Sequence, residues 1–257
     1  MIGIVGFGKM GRAIADGLNK KGFQVMVKDK EPLGIANLRE AKDLPELLTS
    51  SAIIIAVKPK DVEELMQEIK RTLTREQQPL FISIAAGKKI ADFESVLGNH
   101  KIIRAMPNLA ARVGESATCF CANAAVTTRD IGLAKEIFLS IGTCAQVKEE
   151  ELDAVTALSG AGPAYFFYFV QKLAKAGVAS GLDEKTANQL ARQTFIGAAL
   201  LTENGGKTLE DLIKEVATPG GTTEAGLEVF EKERLPAIFE SALKAATARS
   251  KEQAKKK

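Results

Sequence analysis

Ile2-Gly3-Ile4-Val5-Gly6-Phe7-Gly8-Lys9-Met10-Gly11 is the stretch whose reading decides the fold. Its first four residues form an apolar run with β-branched side chains, and a glycine-rich turn follows without a gap. Met10, Ile14 and Leu18 then recur at every fourth position, with Ala13 and Gly17 beside them, which is the stripe of an amphipathic helix. Strand, tight turn and helix come in the order that a dinucleotide pyrophosphate requires. One glycine makes the turn, one lets the backbone approach the phosphates, and one lets helix and strand pack closely. The helix N-terminus adds free N–H groups and a partial positive charge. Gly6, Phe7, Gly8, Lys9, Met10 and Gly11 are therefore candidate cofactor-binding residues.

Composition narrows the remaining classes. A chain of 257 residues with 46% hydrophobic and 26% charged residues can bury a real core in one large domain or two smaller ones. A net charge of +3 is too small to argue for nucleic acid, and part of it sits in Lys255-Lys256-Lys257, which reads as a solvated end or an expression remnant. No apolar run reaches the length of a membrane span. A glycine turn at Gly6 leaves no room for a signal peptide, so the cytoplasm is the expected setting. Cys119, Cys121 and Cys144 have no histidine or further cysteine nearby to complete a metal site, and they read as buried free thiols. The single histidine, His100, follows Gly98-Asn99 in a turn and reads as a surface residue, so any chemistry here works without histidine.

Downstream, Gly22 ends the first helix, Phe23 to Lys28 reads as a strand, and Asp29 follows at the offset of a ribose-binding acid. Lys28 and Lys30 flank it and could take the extra phosphate of NADP(H), so NADPH and NADH both stay open. Ala52 to Val57 is a continuous apolar run, the mark of a strand buried on both faces of a parallel sheet. Helical stripes over Val62 to Leu73 and Ile90 to Leu97 alternate with strands over Leu80 to Ile84 and Lys101 to Met106. Strands over Ala117 to Ala122 and Cys144 to Lys148 flank a helix over Arg129 to Ser140, and the alternation predicts parallel order. The turns Val57-Lys58-Pro59, Ala85-Ala86-Gly87 and Pro107-Asn108 then join the glycine turn along one edge of the sheet, as further cofactor-binding candidates. The fold class predicted is an α/β Rossmann-type nucleotide-binding domain over 1–149, followed by an all-α domain for dimerisation and substrate binding over 150–257.

In that second half, Tyr165 to Ala179 is apolar almost all round, and Ala187, Leu190, Ala191, Thr194, Phe195, Ala198 and Leu201 form a broad stripe. Such helices need more surface to bury against than a small bundle offers. An intertwined homodimer supplies it; packing onto the nucleotide domain is the alternative. Glu215 to Leu227 interrupts the helices with Gly220-Gly221-Thr222-Thr223, which opens a helix N-terminus and offers N–H groups and hydroxyls to a small carboxylate. Leu158-Ser159-Gly160-Ala161-Gly162-Pro163 is also rich in small residues, fitting tight helix packing and ligand contact equally, with Pro163 suited to a helix first turn.

Taken together, Gly6 to Gly11, Ala56 to Pro59, Ser83 to Gly87, Arg104 to Asn108, Leu158 to Tyr165 and Glu215 to Leu227 resemble the pyrroline-5-carboxylate reductases over essentially the whole chain. Thr218 and Ala161 stand where members of that family often carry serine. The resemblance implies reduction of 1-pyrroline-5-carboxylate to L-proline, the last step of proline biosynthesis, with hydride passing from NADPH or NADH to the imine carbon. It implies an active site between the nucleotide domain and a helical dimer. The substrate carboxylate then goes to the N–H groups of Gly220, Gly221 and Thr222, and the ring nitrogen to the hydroxyl of Thr223, the expected catalytic residue. A β-hydroxyacid dehydrogenase-like enzyme is the alternative. It needs a lysine with an asparagine four residues on, and Lys172 and Lys175 are followed there by Ala176 and Ala179. A non-catalytic nucleotide sensor would leave the second glycine loop without a task.

Overall fold

The computed structural model describes residues 1–34, 38–74, 76–203 and 206–255. Among these, eight strands form one sheet: β1 (Ile2–Val5), β2 (Val25–Lys28), β3 (Arg39–Glu40), β4 (Ala52–Ile55), β5 (Leu80–Ser83), β6 (Ile102–Met106), β7 (Ser116–Ala122) and β8 (Gly142–Gln146), in the spatial order β3-β2-β1-β4-β5-β6-β7-β8. The helices of this half are α1 (Lys9–Lys20), α2 (Leu44–Leu47), α3 (Val62–Thr72), α4 (Ile90–Leu97), α5 (Thr128–Leu139) and α6 (Leu152–Val155). Five follow as α7 (Gly162–Ala179), α8 (Glu184–Glu203), α9 (Leu209–Val216), α10 (Thr222–Lys232) and α11 (Leu235–Lys255). Lys256 and Lys257 of the basic tail lie outside the described residues.

The strand positions follow from side-chain alternation between two covered faces. Ile2, Ile4, Ile54, Ile82 and Ile103 enter one apolar cluster with Ile14 and Leu18 of α1 and Phe138 of α5. Val5, Ile53, Ile55, Phe81 and Ile102 enter the other with Leu65, Met66 and Ile69 of α3 and Phe93 of α4. Every residue of β1, β4 and β5 is buried, as expected for parallel strands covered on both sides.

One pairing departs from the expected parallel order. β6 and β7 are antiparallel, with Ala105 opposite Phe120, while β7 and β8 are parallel to each other. The reason lies in the connection. A parallel return needs a crossover of about a dozen residues or more, and residues 107–115 hold only a tight 3-10 turn over Leu109–Val113. β7 therefore turns straight back beside β6, and α5 carries the chain in parallel from β7 to β8. The two-residue edge strand β3 and the short α2 have no legible periodicity. Of the three thiols only Cys121 is buried, while Cys119 and Cys144 are half-buried. His100 is also half-buried instead of lying on the surface. Its ring meets Phe81 edge-on, with centroids 5.9 Å apart.

The chain divides into two compact units, Met1–Ala161 with Ala245–Lys257, and Gly162–Lys244. The end of α11 thus belongs with the sheet. Ser250 is buried there and its hydroxyl donates to Asp153 Oδ1 at 2.6 Å. Among the described residues, no helix is long and apolar enough to cross a membrane.

Candidate active site

Register places the sheet loops in a row. Val5 stands beside both Lys28 and Ile55, and Ile55 beside Ser83. The ladder runs one residue further, with Gly6 N donating to Lys28 O at 2.8 Å and Ala56 N to Val5 O at 2.8 Å. Gly6, Asp29, Ala56 and Ile84 therefore leave the sheet side by side. Pro107 and Asn108 leave β6 on the same edge.

Each glycine of the first turn has a separate physical reason. Gly6 has φ +92, and a Cβ there would lie 2.7 Å from the Ala56 carbonyl carbon. At Gly11 a Cβ would lie 2.1 Å from Gly6 O, so α1 starts in direct contact with the turn. Gly8 differs, because a Cβ there would meet nothing within 4 Å. The protein itself does not require glycine at that position, but a ligand lying on the backbone would. A diphosphate fits this cradle, since Lys9 and Arg12 stand in or beside the first turn of α1 with no acid among them. Arg12, which the sequence reading passed over, holds its guanidinium 4.8 Å from the centroid of the Phe7 ring. A cation at a helix N-terminus opposes the helix dipole, and that mismatch is the signal that could have found it.

Asp29 is fixed by backbone donors. Phe7 N donates to Oδ2 at 2.5 Å and Lys30 N to Oδ1 at 2.7 Å. Lys58 opens the 3-10 turn Pro59–Asp61, and Val57 before it is half-buried. Ala85 is buried, Ala86 exposed, and Gly87 has φ +76. The backbone of Gln253 and Ala254 at the end of α11 lies 3.5 Å from where a Gly87 Cβ would stand. Asn108 is committed internally: its Oδ1 accepts from Ala110 N at 3.1 Å and its Nδ2 donates to Ser159 O at 3.1 Å. It thereby ties the sheet edge to a π-helical turn over Thr156–Gly160, within the small-residue stretch.

The second loop is built on its own turn. Gly221 N donates to Thr218 O at 2.9 Å, with Pro219 and Gly220 between them and φ +73 at Gly220. Proline second and a positive-φ glycine third are the marks of a type II turn. A Cβ on Gly221 would lie 2.7 Å from Thr218 Oγ1, so the second glycine is also required by the turn. Gly220 N donates to Glu224 Oε2 at 2.6 Å. Thr222 and Thr223 then begin α10, and among the described residues their N–H groups and hydroxyls make no hydrogen bond. Thr222 is exposed and Thr223 half-buried.

Residues 149–253 match the family model described as pyrroline-5-carboxylate reductase dimerisation, and residues 1–87 match one described as NADP oxidoreductase, coenzyme F420-dependent. The pyrroline-5-carboxylate reductase of Methanosarcina acetivorans is 36% identical, over 99% of this chain and 98% of its own. The chain belongs to the pyrroline-5-carboxylate reductase family. A solved member from Coxiella burnetii superposes with a TM-score of 0.92 at 32% identity, covering 98% of this chain and 97% of that one. A Plasmodium falciparum pyrroline carboxylate reductase, solved with NADP bound, gives 0.85 at 30% identity over 98% and 97%. Family membership thus spans both units, including the glycine cradle and the glycine-threonine loop.

Proposed function

We infer that this protein reduces 1-pyrroline-5-carboxylate to L-proline with NADH or NADPH. The observation that carries the reading is the pair of glycine-built anion cradles, one in each unit. The first, Gly6 to Gly11, presents open backbone to a diphosphate. The second, built on Gly220 and Gly221, presents the uncommitted N–H groups of Thr222 and Thr223 to a carboxylate. A reduced nicotinamide bound along the sheet edge supplies hydride to an imine carbon. Asp29 accepts from the adenosine ribose hydroxyls, Lys9 and the α1 N-terminus hold the diphosphate, and Phe7 and Met10 shape the turn. Val57, Lys58, Pro59, Ala85, Ala86, Gly87 and Pro107 line the remaining edge, and Asn108 fixes its last loop.

For the substrate, the N–H groups of Thr222 and Thr223 receive the carboxylate, and that of Gly220 joins them if Glu224 swings away. The Thr223 hydroxyl meets the ring nitrogen and holds the imine carbon in line. A protonated iminium already accepts hydride, so alignment carries most of the rate and no strong base is needed. We take 1–149 as the nucleotide domain and 150–257 as the helical domain for dimerisation and substrate binding. The helical half pairs with a second copy, because its apolar side chains stand exposed within one chain. Higher assembly of such dimers is compatible with it. A cytoplasmic setting suits a chain whose three cysteines are all free.

The deciding assay is loss of NAD(P)H absorbance with pyrroline-5-carboxylate, run against a hydroxyacid panel with oxidised cofactors. Turnover of a hydroxyacid and none of the imine would overturn the assignment.

A further inference from the structure

An ion-pair network beside the ribose position takes no part in the reduction itself. Lys30, directly after Asp29, sends its Nζ to Asp61 Oδ1 at 3.0 Å and towards Glu64 Oε2 at 3.9 Å. Asp61 closes the 3-10 turn of the β4 loop, and Glu64 lies in the first turn of α3. The pair therefore ties two neighbouring loops of the nucleotide edge. Hydrogen bonding to Asp61 holds the Lys30 ammonium above its ordinary pKa, and the same bond holds the Asp61 carboxyl below its own. Both groups are charged throughout the physiological range.

Asp29 is placed differently. Its oxygens take backbone N–H groups from Phe7 and Lys30, which fix the carboxylate without neutralising it. Among the described residues it forms no ion pair. Each oxygen keeps lone pairs for further donors. Ribose hydroxyls are such donors, whereas a 2′-phosphate brings only acceptors and negative charge. Lys30, which directly follows Asp29 and is one of the cations that could offset that charge, is already held by two acids.

We propose that Asp61, assisted by Glu64, is a specificity-determining residue that sequesters Lys30 and so makes the site favour a free ribose 2′-hydroxyl over a 2′-phosphate. This deepens the nucleotide reading above and rests on it. It makes NADH the preferred reductant, with NADPH accepted more weakly. Releasing Lys30 gives the 2′-phosphate a cation, so the acids work by positioning a side chain and not by touching the cofactor.

The test is calorimetric titration of the full-length protein with adenosine 5′-monophosphate and adenosine 2′,5′-bisphosphate, alongside NADH and NADPH. Wild type is expected to bind the monophosphate more tightly than the bisphosphate. Asp61→Asn should tighten the bisphosphate about two- to fivefold, the scale of one exposed ion pair. The monophosphate should change less than about twofold, and the gain should shrink with added salt. Asp61→Glu should keep the wild-type ratio, and Lys30→Ala placed on Asp61→Asn should abolish the gain. An unchanged ratio in Asp61→Asn, or a gain that survives Lys30→Ala, overturns the selectivity device while leaving the nucleotide site standing. Failure of both the monophosphate and NADH to bind wild type would overturn the nucleotide reading and this inference with it.

Discussion

The sheet unit and the helical unit use apolar residues in opposite ways. In Met1–Ala161 with Ala245–Lys257, the strands β1, β4 and β5 are wholly buried, and two clusters cover the two faces of the sheet. In Gly162–Lys244, the buried described residues are Gly162, Ala174, Ala187 and Ala191, all small. The large side chains there stand out: Phe167 is 60% exposed, Tyr168 61% and Val216 64%. One unit closes its core within the chain. The other displays an apolar surface of the kind that marks a protein interface. A helix apolar on nearly all sides reports that it will be buried, but not whether the cover comes from its own chain.

The largest effect should come from placing one charge in each unit. Phe167→Lys, in the exposed patch of α7, should shift full-length protein from dimer to monomer in light scattering and lower activity more than tenfold at submicromolar concentration. Leu139→Lys is the matched change in the sheet unit, where Leu139 is likewise 53% exposed. It should alter stability by no more than about 0.5 kcal/mol and leave assembly unchanged. Equal effects from the two would erase the distinction between the units.

Next in size is an ion pair of the sheet unit whose cation is buried and whose carboxylate is half-buried. Arg104 on β6 is 6% exposed, and its Nη1 donates to Glu149 Oε1 at 3.2 Å. The same oxygen accepts from Ile90 N at 2.8 Å, so one carboxylate joins β6, α4 and the segment leading to α6. Glu149→Ala leaves a buried guanidinium and an N–H unpaired. The expected cost is about 3 kcal/mol, read from denaturant midpoints at constant slope. A loss under 1 kcal/mol would mean that water reaches Arg104 freely.

In the helical unit, the sharpest test is Thr223. Losing a hydrogen bond to a charged or charging ring nitrogen costs roughly 1.5–3 kcal/mol. Thr223→Ala should therefore lower kcat/KM about 10- to 150-fold, with cofactor affinity unchanged and most activity recovered by Thr223→Ser. Wild-type turnover in Thr223→Ala would reduce this loop to a turn followed by a helix start.

Much of the sheet unit was legible because its signals are local. The glycine turn, the apolar runs Ile2 to Val5, Ala52 to Val57 and Leu80 to Ile84, and the stripes of α1, α3 and α4 each carry their own local signal. The direction of β7 was not legible from alternation, because it depends on the short connection over residues 107–115. The return of α11 to the sheet unit was hidden for a related reason. It rests on Ser250 meeting Asp153 and on the chain passing Gly87, which are contacts between distant stretches. At the second loop, the hydrogen bonds that divide the N–H groups were not legible from the residue types. Gly220 and Gly221 are demanded by the turn, Glu224 occupies the Gly220 N–H, and the uncommitted donors begin at Thr222.

The smallest expected effect concerns acid stability and belongs to the sheet unit alone. His100 lines a depression of about 250 Å³ with Lys70, Leu73, Thr74, Gln78 and Leu97, and its buried Nδ1 has no hydrogen-bond partner. Burial holds its pKa below the ordinary 6.5. The unfolded chain binds this proton near 6.5 and the folded chain only at lower pH. Stability linked to neutral His100 is therefore fully present above pH 6.5 and is lost as pH falls through the folded value. His100→Phe keeps an aromatic edge against Phe81 and removes the titration. Between pH 7.5 and 5.0, Tm should fall less in His100→Phe than in wild type, with the two curves parallel above pH 6.5. Coincident slopes over the whole range would show that the ring protonates as easily folded as unfolded, and that the depression is wet enough to accept the charge.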